Sequence, residues 1–227
     1  VVRAKIARVD HERRSIPCDH GSMAARAKKR ERLGVDERRA QLVALGLERF
    51  GARPYDEVSL DEIAEAAGIS KGLVYHYFPT KKDYYAATVV EGARRLLEMT
   101  DVPPDAPASE VLARGLDAYL RYVEAHGPAY AALLRSGVGV DPAIARVVED
   151  TRATFIARLT AGLGASGFVA ANEAAARVAM RGYIGLVEAA CLDWLDHGGV
   201  TREALAALLA RALGDLTRAA ADCPVER

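Results

Sequence analysis

The chain has 227 residues, which allows one large domain or two small ones at about 150 residues per domain. Thirty-one basic residues balance thirty-one acidic ones, and hydrophobic residues make up 51%, too many for a disordered chain. No apolar run reaches the ~18 residues of a membrane helix, and no apolar signal segment opens the sequence. Cys18, Cys191 and Cys223 are far apart and outside any CxxC pair. These features argue against a membrane partner, a disulfide framework and a structural zinc site, and favour a reducing cytoplasm.

The neutral total hides an asymmetry. Residues 1–32 hold ten Lys or Arg against four acids, without helical or strand periodicity. The segment 1–34 is expected to be a flexible basic arm, and Met23 is a second candidate for the first residue. Asp36 is placed to cap a helix carrying Leu42, Leu45 and Phe50, which Gly51 closes. Ser59-Leu60-Asp61-Glu62 is a capping box that opens a short helix with Ile63, Ala64 and Ala67 inward, ending at Gly68. Ser70 then caps a third helix, Lys71 to Phe78, which Pro79 closes. Thr80 opens a fourth, with Asp83 three residues on, reaching about Thr100.

Three prolines within 101–108 mark a connector. Ser109 is read as the cap of the next helix, which presents Leu112, Leu116, Tyr119, Val123 and His126 on one face and ends at Gly127. Pro128 begins a short helix as its first residue, and Asp141-Pro142 starts another through Ile144, Val148, Thr151, Phe155 and Leu159. A long helix follows from about Asn172 to Asp196, and Thr201 caps a last one. No segment alternates as a strand, so the fold is read as all-α with about nine helices.

The pair of short helices around Gly68 fits a helix-turn-helix. The second helix of such a motif must protrude to enter the ~12 Å major groove. Ile69 and Val74 pack inward, leaving Lys71, Gly72, Leu73, Tyr75, His76 and Tyr77 for the outer surface, whereas Phe78 is assigned to the core. The stretch Ile63-Ala-Glu-Ala-Ala-Gly-Ile-Ser-Lys-Gly-Leu-Val-Tyr-His-Tyr-Phe-Pro-Thr-Lys-Lys-Asp-Tyr84 closely resembles the DNA-binding signature of the TetR/AcrR family of bacterial transcriptional regulators. That resemblance implies a DNA-binding domain at 35–82 and a ligand-binding and dimerisation domain at 83–227. It further implies that Ser59 and Ser70 bind phosphates at helix N-termini. Lys71, Gly72, Leu73 and His76 would face base edges. Tyr75 would touch a thymine methyl or a phosphate, and Tyr77 and Lys81 phosphates. Asp61 and Glu62 depart from the commoner basic or small polar pattern and weaken the local field for DNA. The basic arm is the available compensation.

The helix at 172–196 is apolar nearly all round, so it needs cover on both sides. One face is assigned to its own core and the other to a second subunit. The last helix joins it in a four-helix interface, which is the family's usual homodimer. Val178, Leu186, Trp194, Leu205, Leu208, Leu209 and Leu213 are the interface candidates. Two reading helices about 34 Å apart would then match successive major grooves of a palindromic operator. In this family the helices at 109–127, 141–164 and 172–196 enclose a small-molecule pocket, and its candidate lining here is Tyr119, Tyr122, His126, Phe155, Met180, Tyr183 and Glu188. No cofactor or metal is expected.

Gly162-Leu-Gly-Ala-Ser-Gly167 matches GxGxxG, but helical periodicity precedes it where a dinucleotide site needs a strand, so it is assigned to a helix–helix loop. No HExxH, GxSxG or P-loop occurs. The resulting function is a DNA-binding regulator, taken as a repressor modulated by a small-molecule effector. Two alternatives stay open: a helix-turn-helix-shaped interaction protein without DNA binding, and an all-α enzyme.

Overall fold

The computed structural model describes residues 34–102, 108–137, 141–165, 167, 170 and 173–224. The arm at 1–33 with Cys18 and Met23, the prolines at 103, 104 and 107, the Ser109 cap and Asn172 fall outside the described backbone or side chains. The described elements are α1 (Val35–Ala52), a 3-10 turn (Tyr55–Glu57), α2 (Leu60–Ala67), α3 (Lys71–Tyr77) and α4 (Lys81–Met99), followed by α5 (Ala108–Ala125), α6 (Gly127–Ala132), a π-helical turn (Leu133–Gly137), α7 (Pro142–Ala165), α8 (Glu173–His197) and α9 (Arg202–Ala221). All regular structure among the described residues is helical.

The N-terminal helices are set by their caps. At α2, Ser59 Oγ accepts from the Asp61 amide at 3.0 Å while Glu62 accepts from the Ser59 amide at 2.6 Å. The helix ends at Gly68 with φ of 65°, and the Ile69 amide folds back onto the Ala64 carbonyl at 2.9 Å. That left-handed backbone favours glycine, so the tight turn into α3 is written at this position. Ser70 Oγ caps α3 by accepting from the Leu73 amide at 3.3 Å. Phe78 then turns extended, as a residue before proline must, and Thr80 and Asp83 cap α4 reciprocally.

Two expected boundaries differ. The first helix begins two residues early, because the Glu37 carboxylate accepts from the Gly34 amide at 2.8 Å and does the work assigned to Asp36. It also runs through Gly51 to Ala52, stopping where Arg53 becomes extended ahead of Pro54. The GxGxxG stretch is a third correction. Gly162 and Gly164 are helical within α7, and the positive φ of 82° comes only at Gly167.

Two buried clusters organise these rods. Leu42, Phe50, Ile63, Val74, Phe78 and Tyr84 join α1–α3 to the start of α4. Leu120, Val123, Tyr130, Met180, Tyr183, Leu209 and Leu213 join α5, α6, α8 and α9. Each such side chain removed from water contributes about 1.5–3 kcal/mol before entropy is charged against it. Helix α4 packs on α1 and α7, and α7 packs in turn on α8. The α1–α4 crossing is close at Gly46, where an added Cβ would stand 2.5 Å from Thr88 Oγ1.

Candidate DNA-reading head and cavity

The face of α3 is decided by a single inward residue. Val74 is fully buried, while Leu73 is 37% and Tyr75 42% exposed, and Lys71, Gly72 and His76 are also at the surface. Ser59 and Ser70 are exposed at the starts of α2 and α3, and Tyr77 is half-buried against the core beneath. Phe78 is core, as expected, with its ring 5.0 Å from that of Tyr84.

The two acidic residues that depart from the family pattern are occupied within the chain. Asp61 pairs with Lys71 at 2.7 Å, and Glu62 accepts from Arg53 at 2.8 Å as well as capping α2. Arg53 and the Ser59 amide hold the Glu62 carboxyl below its ordinary range. Lys71 is thereby tied to the start of α2 through an exposed ion pair. Lys81 lies 4.3 Å from the centre of the Tyr55 ring, a cation–π contact that parks its ammonium at the foot of α4. Tyr55 in turn stacks on Phe50 and tilts against Tyr85.

Behind this head lies a cavity of about 780 Å³, within the range of small-molecule sites. Tyr119, Tyr122, His126, Phe155, Tyr183 and Glu188 line it, together with Phe50 and Tyr85 from the N-terminal side. Met180 does not. It is 2% exposed and sits in the core on the same face of α8 as Tyr183 and Ile184, one turn before the cavity lining along that helix begins. The sequence reading also missed Tyr130, Arg152 and Arg158. Tyr130 shares a 2.9 Å hydrogen bond with Tyr119. Arg152 donates two hydrogen bonds to Glu188, at 2.8 and 2.7 Å, with both side chains mostly buried. The helical register was the available signal, since Arg152 lies four residues from Val148 and three from Phe155, both on the cavity side.

Helix α7 grips α4 near both ends. Asp141, buried, accepts from the Ala143 amide at 2.8 Å and pairs with Lys82 at 3.1 Å. Those two donors hold its carboxyl below the usual range. Arg158 donates to the Leu97 carbonyl at 2.8 Å and to Thr100 Oγ1 at 3.2 Å, capping the far end of α4. Burial pushes the His126 imidazole below its ordinary pKa, with the Arg95 charge adding to the effect, so it is neutral at pH 7.

The interface candidates divide. Val178 is 63%, Leu186 37% and Leu208 56% exposed, and Val178 and Leu186 lie at helical spacing along α8 with the exposed Gly182 and Gly185. Leu205, Leu209 and Leu213 instead point into the chain's own core at 5%, 0% and 3% exposure, which corrects their placement at a subunit boundary. The physical reason is that α9 is already covered on that stripe by α5 and α8, and Tyr183 donates to the Leu209 carbonyl there. Trp194 is half-buried, and its indole N–H donates to the Val200 carbonyl at 2.9 Å, turning the ring back on its own chain.

The family profile described as "Bacterial regulatory proteins, tetR family" matches residues 42–88, and "Tetracyclin repressor-like, C-terminal domain" matches 108–214. The fold superposes on a tetR-family transcriptional regulator from Streptomyces coelicolor with a TM-score of 0.72 and 34% identity, covering 85% of this chain and 92% of that one. The chain belongs to the TetR family. Among curated relatives, the HTH-type transcriptional activator FasR of Mycolicibacterium smegmatis is 30% identical over 125 residues, 52% of this chain and 55% of that protein. The transcriptional regulator AcuR of Cereibacter sphaeroides is 42% identical over 48 residues, 21% of this chain and 22% of its own length. The chain thus spans about half of one curated relative and a fifth of the other. This TetR-family member is a DNA-binding transcriptional regulator, and its relatives are regulators rather than enzymes. No helix among the described residues is long and apolar enough to cross a membrane.

Proposed function

We propose that this chain works as a homodimer on a palindromic operator, as a repressor whose hold is loosened by a small molecule in the 780 Å³ cavity. The observation that carries the reading is the placement of that cavity: Phe50 of α1 and Tyr85 of α4 form part of its wall, and both belong to or touch the core on which α3 is mounted. A guest that favours one arrangement of these helices shifts the population of reading heads. A coupling of ~1–3 kcal/mol changes operator affinity about 5- to 150-fold.

In this reading residues 35–82 form the reading domain and 83–227 the effector and pairing domain. Ser59, Ser70, Tyr77 and Lys81 engage phosphates. Lys71, Gly72, Leu73 and His76 face bases, and Tyr75 a thymine methyl or phosphate. The basic arm at 1–34 adds a sequence-independent contact. The dimer uses Val178, Gly182, Gly185 and Leu186 of α8 with Leu208 of α9.

The test is a gel shift with the gene's own upstream region across a salt series, in parallel with transcription in vitro from that fragment. Binding that weakens steeply with salt and a transcript that falls on adding protein are expected. Absent or salt-insensitive binding on every fragment would defeat the reading. The name of the FasR relative supports a second direction, activation, and a transcript that rises would select it.

A further inference from the structure

The cavity's own chemistry limits what it can hold. Among the described residues four charged side chains border it, Arg152 and Arg158 against Glu188 and Asp101. Each is already matched. Arg152 and Glu188 are joined by two hydrogen bonds, and Arg158 lies 3.4 Å from Asp101 while capping α4. Behind the wall the balance repeats, since Glu149 pairs with Arg152 and, at 2.9 Å, with Arg181. His126 adds no positive charge at pH 7. At the Arg152–Glu188 pair, where both side chains are mostly buried, a carboxylate or an ammonium would have to pull one ion from its partner and leave the other unpaired in a poorly hydrated wall, whereas Asp101 is largely in solvent and Arg158 is committed to the end of α4.

The polar capacity that remains is small and neutral. Tyr183 is spent on the Leu209 carbonyl, Tyr122 on the Gly92 carbonyl at 3.2 Å, and Thr88, Thr100 and Thr151 on carbonyls of their own helices. Tyr119 and Tyr130 have two hydroxyl groups and share one hydrogen bond. That bond uses one of the two hydroxyl protons, so the pair keeps one O–H free to donate to a guest oxygen. Burial keeps both phenols protonated. The rest of the lining is mainly aliphatic and aromatic, with Leu112, Leu116, Phe155 and Leu159 among it.

We infer that the cavity takes an uncharged, largely apolar molecule with a single oxygen function set against the Tyr119–Tyr130 pair, and that the Arg152–Glu188 bridge excludes ions. This inference rests on the effector reading for its biological use but not for its chemistry.

The full-length protein is loaded with the neutral fluorophore N-phenyl-1-naphthylamine and titrated at about pH 8 with methyl octyl ketone, decanoate or decylammonium. All three carry the same number of carbons, and only the first is uncharged at that pH. The ketone is expected to displace the probe at least tenfold more tightly than either ion. Longer methyl ketones should gain about fourfold per methylene, as burial of apolar surface requires. Glu188→Gln leaves the Arg152 cation short of a counter-charge and should raise decanoate affinity about tenfold. Should that variant fail to fold, a Tyr119→Phe/Tyr130→Phe double variant keeps every charge, removes both hydroxyl groups and should weaken the ketone about fivefold.

Decanoate or decylammonium competing as well as the ketone would overturn the inference. So would a probe that does not enter, a folded Glu188→Gln with unchanged decanoate affinity, or a Tyr119→Phe/Tyr130→Phe double variant with unchanged ketone affinity. Ketone binding that leaves operator affinity untouched would support the chemistry stated here and defeat the effector reading instead.

Discussion

Replacing Gly46 by Ala adds one methyl group where α1 crosses α4. The new carbon would stand 2.5 Å from Thr88 Oγ1 and 2.9 Å from the Tyr84 hydroxyl. Neither neighbour is free to retreat. Thr88 donates to the Tyr84 carbonyl at 2.9 Å, Tyr84 donates to the Leu42 carbonyl at 2.6 Å, and both side chains are buried. Helix preference alone would reward the change by about 1 kcal/mol. Overpacking costs about 1–3 kcal/mol, and a displaced buried hydrogen bond costs ~1–3 kcal/mol more. The net expectation is a loss of about 2–3 kcal/mol. For a chain of this size that lowers the melting temperature by about 4–12 °C, read by circular dichroism. Removing the nearer obstacle in a Gly46→Ala/Thr88→Ala double variant should recover at least ~1 kcal/mol relative to the sum of the single losses. A melting temperature equal to or above the wild type would refute the close crossing and the reasoning built on it.

Gly182→Ala makes the opposite case, because no neighbouring side chain or other helix among the described residues lies within 4 Å of its added carbon. Helix preference then favours the variant, so weaker self-association in sedimentation equilibrium would mark a neighbouring subunit at that surface, and unchanged association would remove Gly182 from the interface. Leu208→Glu should give folded monomers, whereas Leu209→Glu, placed in the core, should unfold the chain; light scattering and melting curves separate the two outcomes. Lys81→Ala should weaken all operators evenly and reduce the logarithmic salt slope by about one unit per lost phosphate contact, while Lys71→Ala or His76→Ala changes the preferred sequence. Equal losses on all sequences in both classes would overturn those assignments. His126 binds its proton more weakly folded than unfolded. Its contribution to stability is complete above the unfolded pKa of about 6.5 and is lost as pH falls below it. His126→Gln should flatten that part of the melting profile, and superimposable profiles would show that the imidazole is not desolvated.

The helix-turn-helix was legible because each of its boundaries depends on a local rule. A serine box, a left-handed glycine and a proline stop fix α2 and α3 within a few residues, with no help from distant contacts. The pairing face of α9 was not legible in the same way. A leucine stripe states that something must cover it, but Leu205, Leu209 and Leu213 look the same whether the cover is α5 and α8 or a second chain. The cavity lay between these cases. Six of its seven anticipated residues do line it, whereas Met180 fails because the apolar pattern of α8 does not say at which turn the cavity ends. Arg152 and Glu188 are 36 residues apart, and their pairing depends on how α7 meets α8, which no local pattern encodes.

The double attachment of α7 to α4 has a consequence for how the molecule can respond. Lys82 with Asp141 secures one end of the shared length, and Arg158 with the Leu97 carbonyl secures the other. Two rods bolted at both ends swing as a single strut. Under the proposed effector role, swelling of the space beside Phe155 would drag the footing of Lys81 and Lys82 along with it, and a guest molecule and a duplex would compete for one degree of freedom.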